Sequence, residues 1–291
     1  MGLQIGTVLV CGSFLLLGTL LFQPVGFCTR ERVTAPPAEK HSLCQNLTEM
    51  WRIQSYRRIL LSGLLRTPTG LMNLLQMTVL SYYFGNNGRT PYVHYMLLLG
   101  IPAFLGQLIA AGAAPKLADK HGAANTFAKA NVLAGLALLA AFALFLCRPQ
   151  QLTQAMPFTL LILLLFCNMF CCGLVNTVQS ILIADVADQT EKESGIRRDG
   201  IFVSGQSLLI KLSTGVSALL QGLVFAISGF SGTAVSQINR TLYAGADFAT
   251  DPSFAAPRFA MFFLFLCLPG IAYLLSALPY RKSRNSHRVP E

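Results

Sequence analysis

Residues 201–229 read IFVSGQSLLIKLSTGVSALLQGLVFAISG, an apolar run whose single charged residue, Lys211, falls near its middle. A bilayer core needs about 20 apolar residues in a helix, the form in which a single segment satisfies its own backbone in lipid. A cation at that depth costs on the order of 2.5–3.5 kcal/mol even on lenient insertion scales, so it is expected to face a water-filled cavity or a partner and to mark a solute or ion path. The run therefore predicts an all-α membrane protein with a polar interior.

The same pattern recurs along the chain. Apolar segments of spanning length lie at 4–27, 59–84, 92–114, 123–146, 158–184, 201–229 and 259–278, about seven transmembrane helices. With 53% hydrophobic and only 12% charged residues, the 291-residue chain cannot clothe a water-soluble surface. The first segment has no basic start and is closed by Arg30-Glu31-Arg32 rather than by a small-residue cleavage site, so a mature span is expected there, not a signal peptide.

A net charge of +10 would suit a nucleic-acid partner, but the positions of the basic residues speak for topology instead. Sixteen of the 22, among them Arg30, Lys40, Arg57, Lys116, Lys120, Lys192, Arg197 and Arg281, fall on one side of the predicted spans, whereas Arg89, Arg148, Arg240 and Arg258 fall on the other. Arg66 and Lys211 lie within spans. The crowded side is expected to be cytoplasmic, with the N-terminus outside and the C-terminus cytoplasmic. No nucleic-acid partner is expected.

The segments define a domain plan: a first transmembrane helix at 1–27, a polar cytoplasmic linker at 28–58 containing Pro36-Pro37, a six-helix bundle at 59–280, and a basic tail at 281–291. Residues 115–122 read as a tight basic turn, and 231–257 as a polar loop over the surface. Cys11, Cys167, Cys171, Cys172 and Cys267 lie inside apolar runs, where a thiol behaves as a small hydrophobe. No metal spacing occurs, and no structural disulfide is expected.

Polar residues recur at helical spacing within two spans. Asn168, Cys172, Asn176 and Gln179 share one face of the fifth; Ser204, Ser207, Lys211, Thr214 and Gln221 share one face of the sixth. Neutral members could glue helices together by hydrogen bonds or line a solute path. Lys211 tips its own stripe toward a wetted cavity. After the fifth span, Asp185, Asp188 and Glu191 stand opposite Arg197 and Arg198 across a turn. Two readings stay open there, a solvated charge-paired turn or a cytoplasmic gate whose ion pairs break as the open side changes. A magnesium-diphosphate site would need a second Asp-rich motif, which the sequence lacks.

The run 184–191, ADVADQTE, followed by 195–204, GIRRDGIFVS, then Gln206 and Lys211, resembles the signature of the glycoside-pentoside-hexuronide:cation symporters of the major facilitator superfamily, the melibiose-carrier-like group. Thr29-Arg-Glu-Arg32 and Leu80-Ser-Tyr-Tyr83 resemble further parts of that pattern. The resemblance implies twelve helices in two halves, of which this chain would supply the sixth helix, the central loop and the C-terminal six. It implies a sugar or related polar solute carried with Na+ or H+ by alternating access in a bacterial inner membrane, without enzymatic chemistry. It places Lys211 and Gln206 in the central cavity, joined by the striped Ser207, Asn176 and Gln179, and assigns Asp185, Asp188, Glu191 and Arg197, with Arg198 beside it, to the cytoplasmic gate.

The coupling cation's usual ligands lie in the half this chain lacks, so no cation or metal ligand is assigned and no other cofactor is expected. Asn176 stands where the melibiose carrier has a tryptophan, which removes one aromatic platform for a sugar ring. Three readings follow: a C-terminal piece of a full symporter with Met1 an internal start, a half-carrier pairing with a partner half-transporter, or a seven-helix receptor-like protein. The family pattern opposes the last, and the seventh predicted span, 259–278, carries no lysine.

Overall fold

A computed structural model describes residues 12, 13, 16–20, 23, 48, 51–86, 93–195, 199–227 and 232–281. Contacts divide the chain into two units, Met1–Leu43 and Cys44–Glu291. In the first, the described residues are helical and exposed. In the second, every described element is helical: α1 (Gln54–Leu65), a 3-10 turn (Thr67–Gly70), α2 (Leu71–Val79) ending in a π turn (Leu80–Phe84), α3 (Val93–His121), α4 (Ala123–Cys147), α5 (Ala155–Ser194), α6 (Asp199–Ile227), α7 (Gly232–Tyr243), and a C-terminal series of α8 (Ala255–Phe262), a π turn (Phe263–Cys267), α9 (Leu268–Ser276) and α10 (Leu278–Arg281).

Five helical stretches among the described residues are long and apolar enough to cross a membrane: Val93–His121, Ala123–Cys147, Ala155–Glu193, Phe202–Ile227 and Pro252–Tyr280. The segment predicted at 59–84 is present as an interrupted helix. Pro68 lacks a backbone N–H and its ring disfavours an α-helical interior, so the chain tightens into the 3-10 turn directly after Arg66. The Thr67 hydroxyl donates back to the Leu64 carbonyl at 2.9 Å. The Thr67 carbonyl accepts from Ser213 Oγ at 2.7 Å and Ser217 Oγ at 3.1 Å on α6. Such breaks persist at membrane depth where neighbouring side chains supply hydrogen bonds.

Two expectations about connections need correction. The basic segment 115–122 is not a turn of that length: α3 continues through it to His121, and Gly122 alone, at φ +81°, reverses the chain. The helix tolerates Pro115, while Lys120 and His121 sit in its last turn, where the helix dipole favours positive charge. The acidic cluster is likewise not in a turn. α5 runs on past Asp185, Asp188 and Glu191, and the Gly195 N–H closes it on the Glu191 carbonyl at 2.8 Å.

α5 packs along both α3 and α4, and α9 packs on α4. Buried hydrogen bonds join α1, α4 and α9: Ser62 Oγ donates to the Ser276 carbonyl at 2.6 Å, and Ser276 Oγ lies 2.9 Å from Asn131 Oδ1. At the end carrying α7, aromatic rings dominate the core. Phe145 and Phe262 stack at 4.2 Å, and Tyr83 meets Phe262 edge-on at 5.0 Å.

The segment expected merely to lie over the surface is in fact part of this core. α7 buries Ile238 and Leu242, and the loop after it buries Phe248 and Ala249. Val235, Ile238 and Leu242 follow a helical period, so the apolar face of α7 was present in the sequence. Arg258, 4% exposed, holds the loop by donating to the Phe248 and Ala249 carbonyls. Asn86 completes the clasp, accepting from the Phe248 N–H at 3.1 Å and donating to the Ala246 carbonyl at 3.2 Å. Arg258→Leu should destabilise the protein by about 2–3 kcal/mol, because two buried carbonyls lose a charged donor. Thermal unfolding in detergent measures this, and an unchanged transition would show that Arg258 does not secure the loop.

Nearby, Asp251 accepts from the Ser253 hydroxyl at 2.7 Å and its N–H at 2.9 Å, which hold its carboxyl below the usual range. Its contribution is therefore present above the ordinary carboxylate pKa and is lost as pH falls through the lowered one.

Candidate functional site

A cavity of about 520 Å³ opens beside the break in the first helix of this bundle. Its volume lies in the range of small-molecule sites, about 300–1,000 Å³. Polar groups converge on it from separate elements: Arg66 and Asn73 from either side of the 3-10 turn, Gln107 from α3, Asn176 and Gln179 from α5, and Gln206 from α6. Ser213, Thr214, Cys172 and Tyr273 add hydroxyl and thiol groups, while Met72, Met169, Leu209 and Ile210 supply apolar walls.

The break at Pro68 positions Arg66. Because α1 stops at Leu65 and the chain turns, Arg66 sits at the helix end and reaches α5, where its Nη2 donates to Gln179 Oε1 at 2.7 Å. Its other terminal nitrogen, Nη1, is buried and has no hydrogen-bond partner among the described residues. Among the described residues Arg66 is the only charged one lining the cavity, and no aspartate or glutamate lines it. A buried donor left unpaired costs about 1–3 kcal/mol, and more when charged.

The pair itself is open to a stability test. Gln179→Leu takes away the guanidinium's one acceptor among the described residues and should cost about 2–3 kcal/mol. Replacing both, Arg66→Met with Gln179→Leu, should recover most of that loss, since an apolar pair of similar volume leaves nothing unsatisfied. Detergent unfolding midpoints of wild type, both single variants and the double variant give the coupling. Additive losses would mean that the two side chains do not act as a pair.

The sequence-derived candidates distribute as follows. Asn176, Gln179 and Gln206 meet in the cavity lining; Ser207 and Lys211 are exposed on α6 and are not among the lining residues. The α5 stripe divides by depth: Asn168, fully buried, donates to the Ala134 carbonyl of α4 at 3.3 Å, whereas Cys172, Asn176 and Gln179 face the cavity. The stripe thus divides between a residue that bonds one helix to another and residues that line the cavity. On α6, Ser204 and Thr214 donate to their own helix backbone, and Ser217 donates to Thr67.

Asp185 and Asp188 are exposed and Glu191 half-buried on the last turns of α5, away from the cavity lining. Arg197 and Arg198, their expected partners in a gate, lie outside the described residues. Among the described residues no cluster of three His, Cys, Asp or Glu side chains could hold a metal ion. Sequence reasoning missed Arg66 as a site residue, registering it only as a cation within a span. The signal was there: a lone arginine followed by Thr-Pro-Thr-Gly inside an apolar run.

Long apolar helices around a polar cavity define an integral membrane protein. The chain matches the MFS/sugar transport protein family over residues 4–281 and belongs to it. That family comprises transport proteins, not enzymes.

Among curated relatives, the chain is similar to the inner membrane symporter YicJ of Escherichia coli (strain K12), 26% identical over 283 residues that cover 92% of this chain and 52% of that protein. It is also similar to the uncharacterized 29.9 kDa protein in the crtE 3′ region of Pseudescherichia vulneris, 26% identical over 189 residues, covering 65% of this chain and 62% of that one. The chain thus spans about half the length of the symporter and less than two thirds of the second relative.

Proposed function

We propose that this chain forms the C-terminal half of a secondary transporter that carries a polar solute, a sugar or a related compound, together with Na+ or H+. The observation that carries this reading is the cavity of about 520 Å³ in which Arg66, Asn176, Gln179 and Gln206 converge within an apolar helical frame. Alternating access needs two bundles that rock about a shared site. α6 supports the second bundle: 6% of its spanning window is buried, yet it carries Lys211, Ser204, Ser207 and Thr214 exposed. A polar face of this kind suits a water-filled cleft or a partner half better than lipid.

In the complete machine Lys211 and Gln206 line the path, and Asp185, Asp188, Glu191, Arg197 and Arg198 latch the cytoplasmic side. The membrane is a bacterial inner membrane, with the N-terminus outside and the basic tail inside, as the distribution of basic residues favours. The coupling cation binds ligands supplied by the other half.

Proteoliposomes test this reading directly. The chain, alone and co-reconstituted with a matching N-terminal bundle, is loaded against inward Na+ or H+ gradients, and uptake of labelled sugars and sugar acids is followed. Accumulation that follows one gradient and requires the second bundle is the expected result. Accumulation by the chain alone would remove the two-half requirement. Uptake indifferent to both gradients, or none with the second bundle present, would overturn symport.

A further inference from the structure

We infer that the cavity selects an anionic solute, and that Arg66 is the residue that binds its negative group. This inference rests on reading the cavity as the solute site. Three observations carry it. Among the described residues Arg66 is the only charged one in the lining, and none of them supplies a carboxylate to neutralise it. Gln179 Oε1, the acceptor of Nη2, is neutral and leaves the guanidinium charge uncompensated. Nη1 has no hydrogen-bond partner among the described residues, so part of the guanidinium's donor capacity is unmet there.

A carboxylate suits this arrangement. Guanidinium N–H groups form short, charge-assisted bonds to carboxylate oxygens, stronger than those to a neutral hydroxyl. One side of the Arg66 fork is already fixed by Gln179, which orients the guanidinium plane where Arg66 lines the cavity. The remaining polar lining, Asn73, Gln107, Asn176 and Gln206, is neutral and can exchange hydrogen bonds with hydroxyl groups. The solute class is therefore a hydroxylated carboxylate or a compound of equivalent charge, with the anion toward Arg66 and the hydroxyls toward the amides.

Cys172 lines the same cavity and its thiol is free, so it reports on the local potential without any known ligand. The purified chain in detergent is treated with methanethiosulfonate reagents of similar size, one carrying a sulfonate and one a quaternary ammonium. Modification at Cys172 is followed by site-resolved mass spectrometry, and rates are normalised to those of 2-mercaptoethanol. The sulfonate should react at least about tenfold faster. Arg66→Gln should reduce the ratio to about one, and Arg66→Lys should preserve most of it. Equal normalised rates in the wild type, or a preference unaffected by Arg66→Gln, overturns the inference; if the glutamine variant does not fold, the wild-type and lysine ratios decide it.

Protection of Cys172 then separates this inference from the solute reading on which it rests. D-Glucuronate, D-galacturonate and D-gluconate are compared with D-glucose, D-galactose and sorbitol. Protection by an acid at a concentration at least about tenfold below its neutral counterpart, lost in Arg66→Gln, is the expected result. Equal or better protection by the neutral compounds overturns the anion and leaves the cavity a solute site. Protection by none of the six overturns the inference and also withdraws the cavity's support for the solute reading.

Discussion

Lys211→Gln, introduced into an assembly that accumulates solute, is expected to reduce accumulation to the level seen without an ion gradient while leaving the unfolding midpoint within a few degrees of wild type. Lys211 is exposed on α6, and neither an ion pair nor a cavity contact gives it a structural task among the described residues. An ammonium at that depth is costly against lipid, so its retention points to water or to the second bundle on that face. Removing the charge should relieve that cost, which is why stability is not expected to fall. Wild-type accumulation in the glutamine variant would sink the proposed role, and a large loss of stability would assign the lysine a structural one instead.

The largest effect on the fold itself is expected from Gly135→Leu. At the crossing of α4 and α9, a Cβ on Gly135 would stand 2.7 Å from the Gly270 carbonyl oxygen and 2.8 Å from Leu274 Cγ. The first of these is backbone and cannot swing aside. Small residues at such crossings let membrane helices approach closely. Overpacking by a methyl group typically costs about 1–3 kcal/mol, and a leucine side chain should exceed that range by forcing the helices apart.

The damage should also reach the site. α9 carries Tyr273, which lines the cavity, and Ser276, which bonds to Asn131. Gly112→Ala is the control: nothing lies within 4 Å of a Cβ there, so the change should be neutral or stabilise by up to about 1 kcal/mol through helix propensity. Detergent unfolding of both variants measures the contrast, and comparable midpoints would remove the close crossing as a determinant of stability.

Composition and segment length were enough to read the helical membrane class, because lipid admits few alternatives for the backbone. The predicted span at 123–146 matches α4 to within a residue, since Gly122 before it and Arg148 after it end the helix chemically as well as by hydropathy. Lengths were misjudged where helices leave the apolar run. Nothing in hydropathy distinguishes a charged helical extension such as 185–194 from a turn, and tertiary contacts decide the matter.

At the site, periodicity found Asn176 and Gln179 because regular helices keep their faces, and Gln206 came from the family resemblance. Arg66 escaped that logic: it sits where the helix breaks, and a period cannot be carried across Pro68. Hydropathy smoothing over a whole span hid the feature that gives the cavity its charge.

The Thr67 carbonyl, shared by two serine hydroxyls of α6, has a thermodynamic corollary. Each neutral hydrogen bond contributes only about 0.5–1.5 kcal/mol net. Letting both go therefore costs no more than about 3 kcal/mol, which is the scale of an equilibrium whose minor member is populated at the per cent level. Thr67 adjoins Arg66, so this catch lies one peptide unit from the arginine that lines the cavity. Its strength suits a reversible fastening that binding energy of ordinary size can open or close.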